Sequence, residues 1–548
     1  MTAVVTSTRD ESASAAPGAT QPEAAPPRPS RWSRTLTLDL LPGSLAVVYG
    51  IAFLIVRPDV NDLWAARARA SAAAHGVGLT YWFAWFGGGA TPGNYSVLTP
   101  YLSALVTAEV VGAVSAVAVT IGCQVLVRGT RHARAAALLG ALVAGINLWS
   151  GRIPFLLGGA FAIGALIAVR SRRTWIAAAL AVLTVTASPV PAAFLALGLA
   201  ALAFVDVSYR RVCLIVGGIS MAALLLVAIT FGTPGPEPFS FGLLLETVVW
   251  LAAMLLARPA PAVRVAIVLA IVSALAIFLV PNGMGSNLSR VAWFCLPVAV
   301  VATSRLRTWL AILVVAAPVA AGASRTVSDL SQARQPMAAA AYYLPLSQEL
   351  DGLTSLGNYR VEVVTNSAHA AYDALLGHAM LARGWETQED AALNKPLVDP
   401  TLNAISYRVW LENNAVGFVA LPRTSGEHYP EYKLVSGGTL PFLTEIWQSP
   451  DWRLFTVSNP TPVIGAPAHL DKHAQSRLTL SVPCACTFDV RVRYSRFLHA
   501  FVPPAAGAAK NAPQIEAVVQ DDGTGWTTIT TPVAGTYYLQ GSLTKLFG

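Results

Sequence analysis

A succession of long apolar segments between Leu40 and Ala321 is the feature that most restricts the fold of this chain. A helix needs about 20 mostly apolar residues to cross a bilayer, and these segments approach that length. Of the 548 residues, 54% are hydrophobic and only 12% are charged, roughly half the charged fraction of a typical soluble domain. The chain is therefore predicted to be an integral membrane protein.

Eleven segments are predicted to be membrane spans, within a transmembrane domain of residues 36–325. They are approximately 41–56, 104–127, 135–150, 153–169, 174–188, 192–207, 212–231, 243–257, 263–280, 291–304 and 308–323. Residues 1–35 precede them and are rich in Ala, Pro, Ser and Thr, a composition typical of a disordered tail rather than of a signal peptide.

Arginine clusters stand before the first segment and then after every second one. They are Arg28/Arg31/Arg34, Arg128/Arg131/Arg134, Arg170/Arg172/Arg173, Arg210/Arg211, Arg258/Arg264 and Arg305/Arg307. By the positive-inside rule these clusters face the cytosol. The rule predicts a multi-pass plasma-membrane protein with a cytosolic N-terminus and an extracytoplasmic C-terminal part. It also accounts for the net charge of +8 without a nucleic-acid partner.

After about residue 325 the pattern changes to short strands and helices. Residues 326–459 are predicted to form an extracytoplasmic α/β layer, with strands at 359–365 and 416–421 and a helix at 369–381. Residues 460–548 alternate between apolar and polar positions and predict a small β-sandwich with strands at 478–483, 487–494, 514–519, 526–531 and 535–543. Cys484 and Cys486 lie in this region, and in an oxidising compartment they could pair as a disulfide or remain thiols.

The first outward loop, from Arg57 to about Ser103, is the longest one and is expected to carry function. Asp59 and Asp62 stand at its start. A carboxylate in this position can act as a general base toward a sugar hydroxyl, and the pair could also hold a divalent cation. The alternative for Asp62 is a purely structural role, in which its charge stabilises the N-terminus of a helix.

Cations outside the basic clusters oppose the positive-inside trend and are candidate ligands for a lipid phosphate. They are Arg57, Arg67, Arg152 and Arg290. The alternative is that they pair with nearby carboxylates or with lipid head groups. Predicted substrate contacts are the polar and aromatic residues His75, Tyr81, Trp85, Tyr95, Asn287, His369 and Trp385. Aromatic residues at a bilayer edge are also common interfacial anchors, and a lone histidine is more often structural.

Five short segments resemble a family of actinobacterial multispan membrane proteins, often labelled as pterin-synthase-related or transporter-like. The segments are 151–158, 284–290, 382–388, 490–495 and 525–527. The architecture of that family is similar to the GT-C glycosyltransferases. The resemblance implies a GT-C-like transmembrane fold and a polyprenyl-phosphate sugar donor of the arabinose or mannose class. It also implies a cell-envelope glycan or lipid as acceptor, with Asp59 or Asp62 as the catalytic base.

Two other functions remain open from the sequence. A transporter or flippase could move a lipid-linked or polar solute through the same helices, although internal repeats, which are common in transporters, are not visible in the sequence. A non-catalytic membrane scaffold could instead bind glycan through its C-terminal domain.

Overall fold

In a computed structural model of the chain, the described residues are 39–232, 235–354, 356–366, 368–424, 429–438, 440–504 and 514–543. The predicted tail of residues 1–35 and the first arginine cluster lie outside these ranges.

The N-terminal part is helical. Its helices are α1 Leu40–Val56, α2 Asn61–Ala74, α3 Thr99–Val106, α4 Ala108–Val127, α5 Ala133–Trp149, α6 Ile153–Arg170, α7 Thr174–Ala187, α8 Pro189–Val205, α9 Val207–Phe231, α10 Phe241–Met254, α11 Pro261–Leu279, α12 Leu296–Thr303 and α13 Thr308–Gln332. Proline stands in the first turn of α6, α8 and α11, where its missing N–H costs no hydrogen bond. Side chains of Thr107, Asp206 and Ser240 cap α4, α9 and α10.

Six helical segments of the described residues are long and apolar enough to cross a membrane. They are Ala108–Val127, Ile153–Arg170, Val207–Phe231, Pro261–Leu279, Gly285–Thr303 and Thr308–Gln332. A seventh is added if α1 and α2, which are bent by 72° at their junction, count as one broken span. The prediction of eleven spans is therefore wrong. The segments around α5, α7, α8 and α10 have at most 17 residues, which is about 26 Å of helix against a hydrocarbon core of about 30 Å.

Apolar side chains on the outside of the bundle agree with a lipid environment. Only 17% of the apolar window in α9 is buried within the protein, and Leu226 and Ile229 project outward from it. Large apolar surfaces of this kind are rare on soluble proteins and common on membrane proteins. The structure therefore supports a multi-pass membrane protein.

The basic clusters after the first span lie together at one end of the helical bundle. The Arg131 side chain donates to the carbonyl of Arg305 at 2.8 Å, and Arg172 donates to the carbonyl of Ser208 at 2.9 Å. The first loop lies at the opposite end, because its Arg67 bonds Glu109 in the first turn of α4, whereas the Arg128 cluster follows the last turn of that helix. The C-terminal part contacts the loop there, since Trp64 donates to the carbonyl of Ala338 at 3.0 Å. The arginine clusters predicted that successive loops lie at alternate ends of the bundle, and the structure has two such ends with different loops.

The C-terminal part begins with α14 and contains two sheets. Its helices are α14 Leu344–Gly352, α15 Ala371–Ala374, α16 Thr387–Leu393, α17 Lys395–Val398, α18 Ala404–Asn413 and α19 Pro430–Ser436. Its strands are β1 Arg360–Val363, β2 Val416–Pro422, β3 Leu443–Gln448, β4 Trp452–Val457, β5 His469–Ala474, β6 Arg477–Val482, β7 Thr487–Arg493, β8 Leu498–Phe501, β9 Glu516–Asp521, β10 Trp526–Thr530 and β11 Gly535–Gly541.

The first sheet has the order β1-β2-β4-β3, and its only parallel pair within the described residues is β1 with β2. Strands β1 and β2 confirm the two predicted from the sequence. The helix predicted at 369–381 is wrong, since only Ala371–Ala374 is helical. The helix has already ended when the chain turns at Gly377, whose φ of +89° is a conformation that glycine adopts without a steric penalty.

The second sheet has seven strands in the order β5-β6-β11-β8-β9-β10-β7. Five of these strands, β6, β7, β9, β10 and β11, were predicted from the sequence. Side chains from both ends of the order, such as Leu480 of β6 and Val490 of β7, share one core. The sheet therefore curls over its own apolar face. Cys484 and Cys486 form a disulfide at its rim.

The first loop is enclosed between the two sheets. The indole N–H of Trp85 donates to the carbonyl of Tyr372 at 2.9 Å, and that of Trp82 donates to the side chain of Gln475 at 3.2 Å. Gly88 has a φ of +88°, and a Cβ there would lie 2.0 Å from the Tyr81 hydroxyl. The glycines at 87–89 are thus needed for close packing.

Candidate functional site

Asp59, one of the two candidate bases, belongs to an ion-pair network with Arg67 and Glu109. Arg67 of α2 donates through Nη1 to Asp59 at 3.1 Å and through Nε to Glu109 at 2.9 Å. Glu109 stands in the first turn of α4, so this chain ties the first loop to the bundle. Arg67 thus pairs with two nearby carboxylates, which was the alternative to its predicted role as a phosphate ligand. We therefore assign Asp59 and Arg67 to holding α2 against α4.

Asp62 has a different environment, because its partner Arg152 is also paired with Asp329 and lies farther away than a hydrogen bond allows. Its Oδ2 lies 3.6 Å from Nε of Arg152, an ion-pair distance that is too long for a hydrogen bond. Nη2 of Arg152 lies 3.8 Å from Asp329 near the end of α13, and Asp329 also accepts a hydrogen bond from Ser150. One guanidinium thus joins the start of α2, the turn between α5 and α6, and the end of α13.

Arg152 is nine-tenths buried and incompletely hydrogen-bonded. Its side chain is 10% exposed, and its Nε and Nη1 have no hydrogen-bond acceptor within the described part of the chain. Burial, followed by the positive charge of Arg290, lowers the pKa of Arg152 to about 10. Arg152 is still charged at neutral pH. A buried donor without an acceptor costs about 1–3 kcal/mol, so an anionic ligand at these nitrogens would be stabilised.

Two further arginines surround Arg152. The Arg290 guanidinium lies 5.3 Å from the ring centroid of Phe155, and that of Arg325 lies 5.6 Å from the ring of Trp293. The positive charges of both residues lower the pKa of Arg152. We call Asp62, Arg152, Arg290, Arg325 and Asp329 the Arg152 cluster. It has three cations and two carboxylates, with Glu237 as a third carboxylate that interacts with Asp62 at longer range.

The remaining predicted phosphate ligand is Arg57, and one of the predicted substrate contacts is Asn287. Arg57 is exposed at the end of α1, with a φ of +45°, and its Nε donates to the carbonyl of Leu54 at 3.3 Å. Asn287 lies three residues before Arg290, in a turn whose Ser286 hydroxyl donates to Glu237 at 2.5 Å. The structure thus brings Arg152 and Arg290 together, whereas Arg57 has a local backbone contact.

The aromatic residues predicted to contact substrate have mostly structural surroundings. Trp85 has no exposed surface, and we assign it to the core around the first loop rather than to substrate binding. The hydroxyl of Tyr81 donates to the carbonyl of Arg493 at 2.6 Å. The Tyr95 ring lies 4.2 Å below the guanidinium of Arg69, which is buried against Glu386.

The other three predicted contacts lie away from the Arg152 cluster. His75 is exposed at the end of α2, where a ring nitrogen lies 2.7 Å from the carbonyl of Ser71. His369 has a φ of +52° and its ring lies 6.2 Å from that of Tyr372. Trp385 packs against the core around the first loop. None of these contacts tests substrate binding, so those three assignments stay predictions.

Asp329 and Arg325 are members of the cluster that the sequence analysis did not identify. Both lie in α13, which continues to Gln332 beyond the last predicted apolar segment. Four residues separate them, which places both on the same side of the helix. That spacing is the one signal in the sequence that could have selected them.

A buried charge cluster in the α/β layer was also missed. Arg383 donates to Asp390 at 2.5 and 3.1 Å and to Glu431 at 2.7 Å, and its Nη1 lies 3.6 Å from Glu362. Burial raises the pKa of Glu362 well above its usual range, and the neighbouring Glu431 carboxylate raises it further. Because Glu431 has the shorter contact with Arg383, we assign the proton to Glu362.

We expect Glu362→Gln to raise the stability of the protein at pH 8 and to raise it less at pH 5. An unfolded glutamate titrates near about 4.3, whereas folded Glu362 holds its proton to higher pH. The folded state therefore loses stability as pH rises above the unfolded value, and glutamine removes that loss. Thermal unfolding of the full-length protein in detergent measures the difference. Glu431→Gln, the control, should lower the Tm, and an equal loss from Glu362→Gln at both pH values would contradict the assignment.

No group of three or more His, Cys, Asp or Glu side chains is arranged to hold a metal ion in the described ranges. Asp59 and Asp62 do not belong to such a group, and the divalent cation suggested for them stays a prediction.

No protein-family model matches the chain. No curated protein matches it at a significant level. The resemblance to a GT-C-like family therefore stays a prediction from the short sequence segments.

Proposed function

We propose that the protein is a GT-C-like membrane glycosyltransferase, which transfers a sugar of the arabinose or mannose class from a polyprenyl-phosphate donor to a cell-envelope glycan or lipid. The single observation that carries this proposal is the position of Asp62 beside the buried Arg152 guanidinium. A carboxylate without a short hydrogen bond can accept a proton, and free guanidinium N–H groups can bind a phosphate.

The proposed reaction uses these two groups in different roles. The acceptor hydroxyl oxygen forms a bond to the anomeric carbon while the bond from that carbon to the phosphate oxygen breaks. Asp62 takes the hydroxyl proton. The electron pair of the broken bond leaves with polyprenyl phosphate, whose negative charge Arg152 and Arg290 stabilise. The Asp59 carboxylate is less accessible to an acceptor hydroxyl, because Arg67 donates a hydrogen bond to it at 3.1 Å.

We propose that this end of the bundle faces the outside of the plasma membrane. Two observations support that orientation. The arginine-rich loops lie at the opposite end, as the positive-inside rule requires of a cytosolic face. The Cys484–Cys486 disulfide lies in the part of the chain that shares an end with the first loop, and disulfides persist in oxidising compartments.

Purified full-length protein in liposomes tests the proposal. We expect radiolabelled sugar to pass from a polyprenyl-phosphate donor to an acceptor that cannot cross the bilayer, and only when that acceptor is on the side that carries the C-terminal part. Protease sensitivity of the sheets identifies that side. Movement of the labelled lipid across the bilayer without a glycosylated product would support a flippase and contradict the proposed transferase.

A further inference from the structure

A groove of about 510 Å³ lies between the first loop and the seven-stranded sheet. Residues His75, Gly76, Gly78 and Tyr81 form one side of it, and residues of β5, β6 and β11 with the turn between β5 and β6 form the other. None of its lining residues belongs to the Arg152 cluster. Its volume falls within the range of about 300–1,000 Å³ that is typical of small-molecule sites.

The strand register explains which side chains enter the groove. Lys472 of β5 pairs with Thr479 of β6, and Arg477 of β6 pairs with Gln540 of β11. Residues directly opposite each other on antiparallel strands project from the same face, so these four side chains share one face of the sheet. The alternate residues, such as Leu478 and Leu480, point into the core.

The charge of the groove is positive. Of the eleven described residues that line it, Lys472 and Arg477 are cationic and none is acidic. The Arg477 guanidinium lies 4.4 Å from the ring centroid of Tyr538, a contact that leaves its N–H groups available. The adjacent carboxylate of Asp471 accepts a hydrogen bond from Ser481. A ligand of this groove is therefore expected to be anionic.

The other lining groups select a hydroxyl-rich ligand over a hydrocarbon one. Ser476, Thr479 and Gln540 supply hydroxyl and amide groups, and three glycines expose backbone. Ala474 is the only aliphatic side chain among the described lining residues. The loop and the sheet meet at Gly541, where a Cβ would lie 2.5 Å from the Tyr81 Cβ. This contact between Gly541 and Tyr81 forms one edge of the groove.

We propose that this groove binds an anionic carbohydrate, meaning a sugar chain that carries carboxylate or phosphate groups. Lys472 and Arg477 bind the anionic groups, and Ser476, Thr479 and Gln540 bind the hydroxyls. This assignment goes beyond the proposed transfer reaction and does not depend on it, since the two sites share no residue.

The test is a titration of the full-length protein in detergent with fluorescently labelled trigalacturonic acid, with maltotriose as the neutral comparison. We expect saturable binding of the acidic sugar and much weaker binding of the neutral one. Lys472→Gln should weaken binding of the acidic sugar about tenfold or more, the value of one charge-assisted hydrogen bond. Lys433→Gln, which removes an exposed lysine on α19, should leave it unchanged.

A second variant tests whether the sugar binds in the groove itself rather than through charge attraction alone. Ser476→Trp places a large ring in the β5–β6 turn, where it would fill the groove with little effect on the sheet, and it should reduce acidic-sugar binding even further than Lys472→Gln. Equal binding by Lys472→Gln and the parent would overturn the proposal. So would complete displacement of the sugar by equimolar inorganic phosphate or by phosphatidylglycerol vesicles. Binding retained in Asp62→Asn separates this site from the proposed transferase.

Discussion

Asp62→Asn is expected to abolish sugar transfer, with a fall in kcat of about 10²- to 10⁴-fold. Asparagine keeps the shape of aspartate but cannot take the proton of the acceptor hydroxyl, and general-base catalysis contributes a factor of this size. The loss should appear in kcat rather than in donor binding, because Arg152 and Arg290 are unchanged. The rate of transfer from a radiolabelled polyprenyl-phosphate sugar measures it.

Asp59→Asn is the matched control from the same loop. Asp59 is half-buried in a pair with Arg67, which keeps Glu109 as a second partner, so the substitution should change stability by about 1 kcal/mol or less and leave most of the activity. Equal loss of transfer in the two variants, with equal expression, would remove Asp62 from the proposed role. Full activity in Asp62→Asn would do the same.

Arg383→Met is expected to destabilise the C-terminal part by about 3–5 kcal/mol. The substitution leaves the buried carboxylates of Asp390 and Glu431 without their counter-ion, and breaking a buried ion pair from one side has this cost. For a part of about 200 residues, the corresponding fall in Tm is about 6–20 °C. Intrinsic tryptophan fluorescence of the full-length protein during heating reports the transition.

Arg453→Met provides the comparison for this prediction. Arg453 pairs with Glu445 at 2.6 Å across β3 and β4, but both side chains are about a quarter to a third exposed, so the loss should be about 1 kcal/mol or less. Adding Asp390→Asn and Glu431→Gln to Arg383→Met should recover part of the stability, because these changes remove the unpaired charges. A triple variant less stable than Arg383→Met would show that lost packing, rather than charge, is responsible.

The organisation along the chain could be predicted because it depends on local composition. Apolar segments interrupted by arginine clusters predicted a helical bundle with two unlike ends, and period-two alternation predicted most strands of the second sheet. The number of spans was overestimated, because apolar segments shorter than about 20 residues were counted as spans. Helix α7, for example, ends at Ala187 close to its predicted limit, but it has only 14 residues.

The candidate site was only partly predictable. Asp62, Arg152 and Arg290 could be selected because they are charged residues in loops that the sequence predicts to face outward. The sequence could not show that Asp59, Arg67 and Arg57 lie outside this cluster, because all six residues are charged side chains in predicted loops. The distinction comes from partners far along the chain, namely Glu109 for Arg67 and Asp329 for Arg152.

The sequence by itself determined that this chain is a membrane protein with a β-rich C-terminal part, because hydrophobic periodicity and charge placement act over a few turns of chain. Only the tertiary structure decided that the first loop is enclosed between two sheets and that Asp62 lies beside a buried guanidinium. It also created the groove between Tyr81 and Lys472, residues almost four hundred positions apart. Such contacts depend on which distant surfaces pack together, and packing is a property of the whole fold.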